Sequence, residues 1–126
     1  MLLNGSKTFR KPSIIDDTEF NNLVSWVLSM IESYILRGHT SFTAKDLFGY
    51  THYDWSSRKY PIQILFYRWR EKYEKENPGL SPDVLTAKAF DAAGISLGYV
   101  MKKAAEQSQR RFKTYQEFRL TRYVLQ

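Results

Sequence analysis

Apolar residues fall along this chain in two periods, and the change from one to the other divides it. From about Asp17 to Arg37, Phe20, Leu23, Val24, Val27, Ile31, Tyr34 and Ile35 recur at steps of three and four residues. That is the spacing of a helix with one buried face. Asp16, Asp17 and Glu19 suit the positive end of its dipole, and Gly38 is a natural stop. Trp26, Leu28 and Met30 lie partly off the face, so this helix is expected to be buried on more than one side or to sit at a homodimer interface. Thr40 to Phe42 suits a short strand, and Thr43 to Leu47 a short helix closed by Gly49. Residues 50–60 mix polar residues with Tyr50, Tyr53, Trp55 and Tyr60 and have no helical period, which predicts a loop. Its aromatic side chains suit burial beneath the loop, stacking on bases or a protein interface.

Pro61 suits the first turn of a helix through Glu76, with Ile62, Leu65, Phe66, Trp69 and Tyr73 on one face. Asn77-Pro78-Gly79 stops it. Ser81 is placed to cap the next helix and Pro82 to fill its first position. That helix is expected to end near Ala93, with a turn at Gly94 and a further helix from Ser96 to about Ser108. From Phe112 the period changes to two. Phe112, Thr114, Phe118, Leu120, Arg122 and Val124 alternate with Lys113, Tyr115, Arg119, Thr121 and Tyr123, and Gln116 and Glu117 stand at the expected bend. This predicts a two-stranded hairpin.

The organisation that follows is a flexible basic arm over 1–13 and a single mainly α domain over 14–126. The domain is expected to have four to five helices and a C-terminal two-stranded hairpin, with 14–59 a possible sub-unit beside 60–126.

Charge sharpens the picture. The formal net charge is +6, and residues 61–126 carry twelve Lys/Arg against seven Asp/Glu, whereas residues 1–60 carry seven against six. Within 102–122 the count is seven against two. A local excess of this kind attracts polyanions, or else is a solvated surface. Aromatic residues make up 16% of the chain, too many for a disordered one. There is no cysteine, which removes disulfides, thiolate catalysis and thiolate metal ligation together. No apolar run approaches the roughly 20 residues that span a bilayer, and Met1 to Arg10 does not read as a signal peptide. A cytoplasmic address is therefore expected, with no membrane partner.

Candidate chemistry is sparse. His39 and His52, in turns or loops, do not have a zinc spacing. No serine sits in a nucleophile elbow, no glycine-rich phosphate loop occurs, and Tyr123 reads as a packing residue. Neither enzymatic activity nor a metal, an organic cofactor or a small-molecule substrate is expected.

The segment Leu85 to Gln109 resembles a helix-turn-helix, on the residues Ala-Phe-Asp-Ala-Ala-Gly-Ile-Ser-Leu-Gly-Tyr-Val at 89–100. With the hairpin that follows, residues 61–125 resemble winged helix-turn-helix DNA-binding domains. The resemblance implies a turn at Gly94, Ile95 plugging the angle between two helices, and Val100 anchoring the second. It implies a recognition helix opened by Ser96 and Gly98, with Lys102 on the same outward face and Tyr99 at its edge. Lys103, Arg110, Arg111 and Lys113 would carry the positive strip into the wing. The implied function is that of a small transcriptional regulator contacting duplex DNA, and a homodimer would match a palindromic site. The alternative is a protein-interaction module, acting through the aromatic loop and first helix to inhibit or adapt a larger complex. A third reading, RNA or single-strand binding, would use Tyr99 and Tyr115 for stacking.

Overall fold

A computed structural model describes residues 12–49, 61–117 and 120–126. The expected arm and the aromatic loop therefore lie almost wholly outside the described residues. The element order is α1 (Asp17–Leu36), β1 (Ser41–Phe42), α2 (Ala44–Phe48), α3 (Gln63–Glu76), α4 (Pro82–Gln107), β2 (Phe112–Glu117) and β3 (Leu120–Leu125). The chain is mainly helical, with the hairpin expected at its C-terminus. The hairpin gains a third strand, because β1 pairs antiparallel with β3 to give the order β1-β3-β2.

Local chemistry sets the ends of the helices. Asp16 opens α1 with a capping box: its carboxylate accepts from the Glu19 amide at 2.8 Å, and its own amide donates to the Glu19 carboxylate at 3.0 Å. Thr43 and Asp46 form the same reciprocal pair at α2. Ser81 caps α4 through its hydroxyl, which accepts from the Val84 amide at 3.3 Å, and Pro82 follows at the first position. Gly38 ends α1 at φ 100°, a conformation that side chains resist.

The expected break at Gly94 does not occur. α4 is one helix of 26 residues, and Gly94 is not among the described glycines with positive φ. The reason is a stripe that runs straight through it: Leu85, Ala89, Ala93, Leu97, Val100 and Ala104 are all buried at steps of three and four. A helical glycine costs about 1 kcal/mol relative to alanine, and burying one Leu or Val side chain gains roughly 1.5–3 kcal/mol. Packing therefore decides the segment. The helix-turn-helix expected over 89–100 is absent in that form.

The alanines of this stripe let α1 and α3 approach α4 closely, and the core sits between the three helices and the sheet. Trp26, Leu28 and Met30 pack against this core, and Trp26 stacks on Phe48 with ring centroids 5.7 Å apart. Burial of α1 on more than one side is thus met in part, since these three residues are each half-buried.

The hairpin also turns later than expected. Gln116 and Glu117 belong to β2, paired with Thr121 and Leu120, so the bend falls after them. Across this connection even-numbered residues of β2 share a face with odd-numbered residues of β3. Tyr123, rather than Arg122 or Val124, faces inward opposite Thr114, and it is 2% exposed. It packs between Phe42 and Phe112, as a packing residue should.

Two outcomes are expected from this arrangement. Gly98 is exposed on the continuous helix, and a Cβ there meets nothing within 4 Å. Gly98→Ala should raise stability by about 0.5–1 kcal/mol, read as a higher melting temperature. A lower one would place a break in α4 after all.

The second outcome concerns Tyr123, whose phenol burial pushes well above its ordinary range. Above the unfolded phenol value of about 10, the folded chain therefore holds a proton that the unfolded chain releases. Stability is whole below that pH and falls as pH rises through it, by up to about 1.4 kcal/mol per pH unit. Urea midpoints across this range should show the fall, and Tyr123→Phe should flatten it. An equal slope in the variant would assign the fall to other groups.

Candidate nucleic-acid interface

The cations of α3 are already neutralised, whereas Arg37, Lys45 and Lys88 at the other helices have no carboxylate partner among the described residues. The four cations of α3 all have carboxylate partners: Arg68 with Glu19 at 2.5 Å, Arg70 with Glu74 at 3.5 Å, Lys72 with Glu76 at 3.7 Å and Lys75 with Glu71 at 3.2 Å. The last three pairs follow from i,i+4 spacing on one helix.

Around the hairpin the layout differs. Arg110 is held, its Nε donating to Glu32 of α1 at 2.7 Å. The same carboxylate accepts from the buried Ser108 hydroxyl at 3.0 Å, and that hydroxyl accepts from the Arg110 amide at 3.1 Å. This clamp fixes the junction between α4 and β2 against α1. Arg122 is held as well. It donates to Glu117 at 2.6 Å and to the Ser41 hydroxyl at 3.1 Å, and it lies 3.6 Å from Asp46. Its pKa is raised, first by the hydrogen bond to Glu117, so it is a permanent cation tying β3 to β1, β2 and α2.

Lys102, Arg111 and Lys113 make no ion pair with any described residue. Arg111 and Lys113 flank the buried Phe112 and are exposed, because alternation along β2 sends them to solvent as Phe112 goes to the core. The Lys113 ammonium lies 5.6 Å from the ring centroid of Tyr115, which is 47% exposed on the same strand face. Lys102 is half-buried near the end of α4. Such cations meet a phosphate without first breaking an ion pair, and their binding releases counterions from the nucleic acid.

The other expected site residues separate. Ser96 is 2% exposed and faces inward, its hydroxyl accepting from the Trp69 indole N–H at 2.8 Å. It locks α3 to α4, which corrects its expected place on an outward face. Gly98 does face outward, Tyr99 is half-buried at the edge of that face, and Lys103 is half-buried beside Lys102. Ile95 plugs no angle between helices; it is 64% exposed. His39 stacks face to face on Tyr34, with centroids 3.8 Å apart. Among the described residues there is no group of three or more His, Asp or Glu placed to hold a metal ion, and no helix is long and apolar enough to cross a membrane.

Sequence reasoning missed the two clamps, Trp69–Ser96 and Glu32–Ser108–Arg110. A signal existed for the first, since the unbroken spacing of Leu85, Ala89, Ala93 and Leu97 already places Ser96 beside the buried stripe. No signal existed for the second, whose partners are 76 and 78 residues apart. No family model, curated protein or solved structure matches this chain.

Proposed function

We propose that this protein binds duplex DNA, with Lys102, Arg111 and Lys113 meeting phosphates and the hairpin acting as the wing of a small transcriptional regulator. The observation that carries the reading is the contrast in ion pairing: every cation of α3 has a carboxylate, while these three cations at the end of α4 and the start of β2 have none among the described residues. Lys103 and Arg110 extend the same positive stretch in sequence, although Arg110 reaches a phosphate only by sharing Glu32. Gly98 and Tyr99 offer the outward face of α4 to the duplex, and Ser96 has no part in it. No catalytic step and no cofactor enters this reading.

Fluorescence anisotropy of labelled duplexes over a range of salt tests it. Log affinity should fall linearly with log salt, with a slope of about −0.9 for each phosphate neutralised. Absence of binding at low salt would remove the reading. The protein-interaction alternative is favoured by Ile95, 64% exposed on the same face of α4 as Gly98, and it would then stand first.

A further inference from the structure

The most exposed apolar side chains of α4 are Ile95, at 64%, and Val84, at 45%. Lys88 and Asp91, between them, are exposed as well. At steps of four, three and four, these residues form one stripe along the side of α4 opposite the buried stripe. Ala87, Ala92 and Gly94 flank it, and their small bulk lets a second helix come close. Neither charge of the stripe has an ion pair with a described residue. The Lys88 ammonium instead lies 5.3 Å from the ring centroid of Tyr73, on α3.

The order of this stripe is self-complementary when reversed. Set antiparallel to a second copy about a two-fold axis between Lys88 and Asp91, Lys88 lies opposite Asp91 of the other copy, and Val84 opposite its Ile95. Each pairing occurs twice, as a two-fold interface requires. Two ion pairs close the middle of the contact, and an apolar pair closes each end. Moving the axis to a point between Asp91 and Ile95 sets Asp91 against Ile95 and Val84 against Lys102. A parallel arrangement sets Lys88 against Lys88 and Asp91 against Asp91, which like-charge repulsion opposes. In the first register Leu97 is level with Pro82 of the other copy, the first residue of that helix. Gly98, Tyr99 and Lys102 therefore extend beyond the end of the opposing helix and stay clear of it.

We propose that two copies of this chain associate through the outer stripe of α4, antiparallel, with Lys88 and Asp91 paired across the two-fold axis. The interface is independent of nucleic-acid binding and uses none of Lys102, Arg111 and Lys113. It covers about three helical turns of each copy and is small beside a standard interface of roughly 1,600 Å². The dissociation constant is therefore expected in the range of about 10–100 µM.

Sedimentation equilibrium without nucleic acid, at protein concentrations up to about 1 mM, reads it directly. The mass should rise from 14.9 kDa toward twice that value. Asp91→Lys sets like charges opposite each other and should weaken the dimer by about tenfold or more, while the swap K88D/D91K should restore it. Ile95→Asp, which puts a carboxylate against Val84, should abolish it. All three positions are exposed, and circular dichroism checks that each variant folds. The chain has no cysteine, so the register can be read by mild oxidation. A mixture of Val84→Cys and Ile95→Cys proteins should give the mixed disulfide well above the share expected from random collision. A monomer at every concentration, a dimer that Asp91→Lys leaves intact, or a random yield of the mixed disulfide overturns the proposal.

Discussion

Replacing Phe42 with alanine should destabilise this protein by about 3–5 kcal/mol, the usual cost of deleting a buried aromatic ring. Phe42 is 1% exposed, although β1, which carries it, is only two residues long. Its ring stacks on Tyr123 with centroids 5.2 Å apart and meets Phe112 edge-on at 5.6 Å. These three rings join all three strands to the helical core, so the damage is not confined to β1. Against a total stability of about 5–15 kcal/mol, the expected melting temperature drops by roughly 10–20 °C. Tyr115, exposed on the outer face of the same sheet, is the control, and its alanine variant should stay within about 0.5 kcal/mol of the parent. A Phe42→Ala protein that melts with the parent would show that the sheet is not seated by this cluster.

The second large effect is on nucleic-acid binding. Removing Lys102, Arg111 and Lys113 together should flatten the salt slope by roughly three units, about 0.9 for each phosphate left without its cation. At about 0.05 M salt that weakens affinity on the order of tenfold per phosphate, equally for every duplex sequence. Lys75 has an ion pair on α3, so Lys75→Ala should leave both slope and affinity unchanged. Ser96→Ala should cost about 1–2 kcal/mol of stability, because the Trp69 N–H loses its acceptor, without altering the preference among sequences. If the triple variant binds like the parent, the positive stretch is a solvated surface. Ile95 and its face of α4 then become the place to look for a protein partner.

The sequence by itself determined the elements whose signals are local. The spacing of Phe20, Leu23, Val24, Val27 and Ile31 specified α1, Ser81-Pro82 marked the start of α4, and the change of period at Phe112 announced the hairpin. Local charge also showed in sequence, because Lys102, Arg111 and Lys113 stand close together in the chain. Other features depended on competition between local preference and distant packing, and only the tertiary structure decided them. Gly94 favours a turn, but burial on both sides of it along one stripe outweighs that preference, and α4 stays whole. The bend lies two residues later than the local sequence suggested, without a glycine to mark it, and the register that results sets Tyr123 opposite Thr114 on the inner face. Which cations stay unpaired is decided the same way. Glu32 takes Arg110, and Asp46 and Glu117 surround Arg122, from elements that only folding brings together. Charge is a property of the sequence, but its neutralisation depends on distances that the packed chain alone sets.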